Sequence, residues 1–259
     1  MSMFTKTGAA AAASAQSTNE KKESAIVSFG SGTTYKVRFK SLEDSVEYYG
    51  YGIYDKVKTF VPKNPAVRND RGFIESNPTV WDRAEQYYRD LQRKAKDAGD
   101  EKAAEEYSKL AYLYKGKPRY LIAFTNLEDG KDVVIDLTKK QASGVLAAIN
   151  KYAKKLDKLA FELAKTGSST STTVTLTPIL DMDEDLTDKE RANFEKAGDK
   201  PFDFELFETC LYVADEAEQT KNLVIAGFDI GLIGLSLGAP APAADEAPPI
   251  TGDAPDVKF

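Results

Sequence analysis

A chain of 259 residues, 42% hydrophobic and 29% charged, can bury one sizeable core or two small ones. It has no histidine and one cysteine, Cys210. That excludes Ser-His-Asp and His-assisted cysteine chemistry, HExxH zinc sites, haem ligation by histidine, an internal disulfide and a CxxC metal knuckle. The net charge of −6 conceals a split: residues 35–165 hold 26 Lys/Arg against 20 Asp/Glu, and residues 181–259 hold 6 against 19. A basic body followed by an acidic end suggests a polyanion site with an acidic tail.

The sparse cysteine usage points to a reducing, intracellular compartment. No apolar run approaches the roughly 20 residues of a membrane span. No secretory signal is expected, because Ala9–Ala13 is too short and too weakly apolar. Residues 1–24 and 239–259, rich in Ala, Ser, Thr or Pro, lack the large apolar residues a core needs and read as disordered. The folded part is expected over 25–238.

Within it, Thr34–Lys40 alternates, with Val37 and Phe39 on one face and Lys36, Arg38 and Lys40 on the other: a half-buried strand. Val46–Tyr54 is a second strand, whose Gly50 and Gly52 suggest a bulge or a close backbone approach. Val57–Val61 continues as strand, and Pro62, Pro65 and Pro78 frame a loop. Thr79–Lys96 reads as a helix, with Asn77 as its N-cap and Pro78 at the first helical position. Trp81, Ala84, Tyr88 and Leu91 fall near one stripe. Gly99 breaks it, and a second helix runs over 100–112.

Arg119–Leu127 and Val133–Leu137 read as a hairpin turning at Asp129-Gly130. Thr138-Lys-Lys-Gln141 is a capping box that opens a helix to about Tyr152. Residues 156–165 fit a helix (Leu156, Leu159, Leu163) and alternation (Leu159, Phe161, Leu163) equally well. Thr172–Ile179 is a strand after a flexible tip at 166–171. Thr187-Asp-Lys-Glu190 opens two helices through about Val224. About seven short strands with helices between them suit a mainly β, α+β chain, a small closed barrel with helical decorations, better than a parallel doubly wound sheet.

Catalytic constellations fail. The carboxylates Asp181, Asp183, Glu184, Asp185 and Asp188 lack the Gly and Glu positions of a calcium loop and suit a helix N-terminus better. Gly30-Ser-Gly32 has no phosphate-loop lysine beside it, and Cys210 lies in an apolar helical stretch. No cofactor, metal or catalytic residue is expected. The aromatic and basic clusters carry more. Tyr48, Tyr49, Tyr51 and Tyr54 precede Lys56 and Lys58. Tyr112 and Tyr114 precede Lys115, Lys117, Arg119 and Tyr120. Single-stranded nucleic acid is held by this mixture, in which cations track phosphates and flat rings stack on unpaired bases. Strand tyrosines also build cores, so for each one alone the two readings are even.

Six stretches carry a resemblance: Tyr-Lys-Val-Arg-Phe-Lys (35–40), Val-Glu-Tyr-Tyr (46–49), Lys-Pro-Arg-Tyr-Leu-Ile-Ala-Phe (117–124), Val-Val-Ile-Asp-Leu-Thr-Lys-Lys-Gln-Ala (133–142), Lys-Leu-Ala-Phe-Glu-Leu-Ala-Lys-Thr-Gly (158–167) and Thr-Thr-Val-Thr-Leu-Thr-Pro-Ile (172–179). In their order and spacing the chain resembles the single-stranded DNA-binding proteins of large tailed phages of Gram-positive hosts, distant relatives of the T-even phage helix-destabilising protein. The resemblance implies an OB-fold five-stranded barrel over 25–238, with a helical insertion at about 79–112 and C-terminal helices at about 187–224. It makes 158–165 a strand. It implies a non-enzymatic coat for single-stranded DNA in phage replication, recombination or repair, in the cytoplasm of the infected host.

The family's zinc module falls at Thr59–Trp81, where this sequence has neither Cys nor His. The expected DNA contacts are Lys36, Arg38, Lys40, Lys56, Lys58, Lys115, Lys117, Arg119 and Lys165 to phosphates, and Tyr48, Tyr49, Tyr51, Tyr54 and Tyr120 to bases. The acidic end, with Asp253, Asp256 and Phe259, is similar to tails that recruit phage or host replication and recombination proteins. The rival classes are a phage structural or assembly protein, whose aromatics are interface anchors, and a nuclease with magnesium on the 181–188 carboxylates.

Overall fold

The computed structural model describes residues 29–168 and 171–236. The segments expected to be disordered, and with them Asp253, Asp256 and Phe259, lie outside the described residues, as does part of the 166–171 tip.

Ten strands and seven helices are present among the described residues. In chain order they are β1 (Thr34–Arg38), β2 (Ser45–Ile53), β3 (Val57–Pro62), β4 (Val67–Arg68), β5 (Ile74–Ser76), α1 (Val80–Asp97), α2 (Glu101–Tyr114), β6 (Lys117–Asn126), β7 (Asp132–Thr138) and α3 (Lys139–Lys151). A 3-10 turn at Ala153–Lys155 leads to β8 (Phe161–Thr166), β9 (Thr173–Pro178), α4 (Met182–Asp185), α5 (Asp188–Asp199), α6 (Glu205–Cys210), β10 (Val213–Ala214) and α7 (Glu216–Ala226). Eight strands form one sheet in the order β10-β3-β2-β6-β1-β8-β9, with β7 added to β6, and β4-β5 is a separate ribbon. The fold is mixed α+β, and the sheet is not closed.

The chain divides into two compact units, one over 29–50 and 116–213 and the other over 51–115 and 214–236. In the first, β6 is the central ladder. One of its edges takes β2 (Ser45↔Ile122 through Gly50↔Lys117) and then β1 (Arg38↔Thr125), and the other takes β7. Strand alternation sends Val37, Phe39, Ile122, Phe124, Ile135 and Phe161 into one core, closed by Val145 and Ile149 of α3. The opposite face of β6 and β7, with Leu121, Ala123 and Val134, is covered by Phe207 of α6. The capping boxes of Thr138 with Gln141 and of Thr187 with Glu190 both form as the sequence requires.

The second unit is built on aromatic rings. Trp81 is fully buried, its ring centroid 5.4 Å from Phe60 and 5.8 Å from Tyr114, and its indole N–H donates to the Gln219 carbonyl at 3.0 Å. Gly52, at φ +153°, lies where a Cβ would stand 3.0 Å from the Thr59 Cα and the Val57 oxygen. Only glycine allows β2 and β3 to approach this closely, beside the irregularity between Tyr51 and Ile53.

Three expectations are corrected. The cap of α1 is Thr79, whose hydroxyl accepts from the Asp82 N–H while Asp82 reaches back to the Thr79 N–H. Asn77 instead adopts φ 53° and donates its side-chain amide to the Pro65 carbonyl. The loop framed by prolines contains the β4-β5 ribbon. The stretch expected to hold two C-terminal helices holds α5, α6 and α7, interrupted by β10.

Candidate nucleic-acid interface

The outward cations of β1 meet the helices that follow β9. The Lys36 ammonium donates to the Asp185 carbonyl at 2.7 Å and pairs with Glu190 at 3.2 Å. The Arg38 guanidinium lies 4.1 Å over the Phe194 ring and donates to the Phe194 carbonyl. Burial lowers its pKa against the pull of Glu195, Asp157 and Asp199. Lys40 pairs with Asp132 at 3.1 Å, both side chains nearly buried, and donates to the Lys200 carbonyl at 2.9 Å. Alternation places these three residues on the face the sequence predicts, but that face is occupied by the protein's own acidic segment.

On β6, Arg119 grips Asp136 of β7 through two nitrogens, at 2.9 and 2.8 Å, and its Nε also lies 3.2 Å from the Tyr48 hydroxyl. Burial, then the neighbouring Asp136 charge, holds the Tyr48 phenol far above its ordinary pKa. Tyr48 packs with Leu121 and Val134 against the sheet, and Lys165 donates to the Phe29 carbonyl at 2.7 Å. Tyr51 is 2% exposed, and its hydroxyl donates to Asp82 at 2.9 Å. With no ring face open to a base, Tyr51 is a core residue and not a stacking platform. Tyr114 is buried in the same core.

The other candidates are half-buried or exposed. On the face of β2 and β6 opposite Tyr48, the half-buried Tyr49 and Tyr120 are diagonal neighbours: Tyr49 pairs with Pro118, and Glu47 with Tyr120. Burial, and then Glu47 and Tyr49, raise the Tyr120 pKa. Lys117 ends this ladder opposite Gly50, and burial, then Arg119, lowers its pKa. In the second unit the turn between β2 and β3 closes with the Lys56 N–H on the Ile53 carbonyl at 3.0 Å and Asp55 at φ 60°. It holds Tyr54 at 92% exposure, with Lys56 and Lys58 both exposed beside it in the chain. Lys115 is exposed at the end of α2.

A buried network escaped the sequence reading. Arg68 of β4 pairs with Asp82 of α1 at 2.7 Å, and also donates to the Tyr51 hydroxyl and the Gly72 carbonyl. It ties the β4-β5 ribbon to α1 and β2 within the second unit. The signal was the Thr79-x-x-Asp82 spacing, a capping box in the same form as the two that were read. Asp181, which the sequence places at a helix N-terminus, caps α4 by accepting from the Asp183 and Glu184 N–H groups at 3.1 Å. Among the described residues no group of three or more Cys, Asp or Glu is placed to hold a metal ion, and no helix is long and apolar enough to cross a membrane.

Comparisons with protein-family models, curated proteins and solved structures return no match to this chain.

Proposed function

We propose that the protein is a non-enzymatic, sequence-nonspecific single-stranded DNA-binding protein of the phage type, acting in DNA replication, recombination or repair in the cytoplasm of an infected bacterium. On this reading the first unit is a partly open barrel of the OB type. The observation that carries it is Tyr54. A ring left 92% exposed on a turn with a fixed backbone, with exposed Lys56 and Lys58 next to it, suits a platform for an unpaired base with cations for the adjoining phosphates. Tyr49 and Tyr120, half-buried diagonal neighbours on the sheet face opposite Tyr48, add a second aromatic surface. By the same resemblance, residues 239–259 recruit replication and recombination proteins.

Fluorescence anisotropy with labelled oligo-dT and a matched duplex is the test. Preference for the single strand is expected, with log K falling by about 0.7 per phosphate contacted for each decade of salt. Duplex preference, or affinity indifferent to salt, overturns the reading. A second reading, a structural or assembly protein, is favoured by one feature: the β4-β5 ribbon exposes Val67 and Phe73, at 51% and 67%. Self-association in light scattering without any DNA binding would select it.

A further inference from the structure

Lys36, Arg38 and Lys40 are engaged within the protein, whereas the lysines of α3 and the turn after it carry no ion pair among the described residues. Residues 139–156 contain five lysines, at 139, 140, 151, 154 and 155, and no Asp or Glu. All five are exposed, and none is ion-paired among the described residues. The helix reaches the sheet through Ala142, Val145 and Ile149, so its other side is turned to water. Between α3 and the sheet lies an open groove of about 360 Å³. It is lined by Tyr120 of β6 and, along α3, by Lys139, Ala142, Ser143, Leu146, Ala147 and Asn150.

We infer that this groove takes one unpaired nucleobase of a bound strand, whose phosphates run along the α3 lysines. The inference rests on the DNA-binding reading and adds a site to it. The π-faces of a base match a groove lined by an aromatic ring and aliphatic side chains. The polar edge of the base requires donors and acceptors together, which the Asn150 amide supplies in one group and the Ser143 hydroxyl supplements. Every base has such an edge and a π-face, so occupancy is compatible with weak sequence preference. The run of lysines without a carboxylate is complementary to a polyanion, and not to a mixed-charge protein surface. The side chains of Asn150 and Ser143 have no hydrogen-bond partner among the described residues, so a ligand bound to them displaces no internal side-chain contact.

The test uses the full chain and two variants. Ala147→Trp places a large side chain in the groove from an exposed helical position, and Asn150→Ala removes the amide. Both are titrated with 20-residue oligo-dT and oligo-dA and with dTMP, and their melting temperatures are compared with the parent's. A 5-iodouracil oligonucleotide is photocrosslinked and the adduct mapped. The expected result is parental stability, affinity for both oligonucleotides reduced about tenfold or more, and an adduct on Tyr120 or α3 that Ala147→Trp abolishes. Parental oligonucleotide affinity in both variants overturns the groove while leaving the DNA-binding reading standing. Binding of dTMP as tight as that of the oligonucleotides makes the groove a free-nucleotide site and overturns its role on a strand. A parent that binds no oligonucleotide overturns both.

Discussion

Arg68 and Asp82 meet at 2.7 Å, with the carboxylate fully buried and the guanidinium 10% exposed. Asp82 also accepts from the Thr79 N–H and hydroxyl and from the Tyr51 hydroxyl, so one side chain caps α1, anchors a core tyrosine and holds a ribbon 14 residues upstream. Removing one member of such a pair leaves a buried charge with too few partners, at a cost of about 3–5 kcal/mol. Arg68→Ala is therefore expected to destabilise the protein by that order in urea denaturation. Replacement of Lys56, exposed and unbonded through its side chain in the same unit, is expected to change stability by less than about 0.5 kcal/mol. An Arg68→Ala variant as stable as the parent removes this network as the tie for the ribbon.

The β1 cations and the β2-β3 hairpin lysines are expected to separate by phenotype. Lys40→Ala breaks a nearly buried pair with Asp132 and should cost on the order of 3 kcal/mol of stability, with the salt slope of oligo-dT binding unchanged. Lys56→Ala and Lys58→Ala should leave the melting temperature alone, and each should lower that slope by about 0.7. The opposite partition in salt titrations would restore the β1 face as the phosphate track.

Tyr51 and Tyr54 lie three residues apart in sequence and at opposite extremes of exposure, 2% and 92%. Tyr51→Ala empties a site stacked on Phe60 at 5.7 Å and strips a donor from Asp82; a loss of about 3–5 kcal/mol of stability is expected. Tyr54→Ala should be neutral for folding and weaken oligonucleotide binding by about 1–3 kcal/mol. Normal binding by a folded Tyr54→Ala variant would remove the observation that carries the proposed function.

Signals local in the chain were legible. The capping boxes at 138–141 and 187–190, the Gly52 approach, the Asp129-Gly130 turn and the inward set Val37 and Phe39 depend on a few neighbouring residues, and all are present. What failed depends on residues far away. Alternation shows that Lys36 turns from its own core, but not that Glu190, 154 positions later, lies there to meet it. Tyr51 and Tyr54 are equivalent by composition. Their fates diverge because a bulge and a turn separate them, and because Arg68 and Asp82 enclose only the first. The groove at α3 is not legible in the chain, because Tyr120 and Asn150, 30 positions apart, come to line it only through the fold.

Cys210 supplies a prediction with a definite pH sign. It packs beside Leu121 and Phe207, its thiol donates to the Phe207 carbonyl at 3.4 Å, and burial pushes its pKa from 9.0 up to about 11. The thiolate is the nucleophile, so a raised pKa keeps the group inert near neutrality. With dithionitrobenzoate at pH 8, the folded protein is expected to react far more slowly than the urea-unfolded one, and the folded rate should climb as pH rises toward 11. Linkage gives the same direction for stability. A folded pKa above the unfolded value means that the thiol's contribution is fully present below about pH 9 and is lost as pH rises through about 11. Half-buried Tyr48 and buried Tyr51, whose pKa values are also raised by desolvation, push the same way, so the thiol's share must be isolated by difference. Cys210→Ala should lose less stability than the parent between pH 9 and 11, measured by urea denaturation at each pH. Equal losses in the two proteins, or labelling of the folded chain at the unfolded rate at pH 8, would place the thiol in water and contradict its packing beside Leu121 and Phe207.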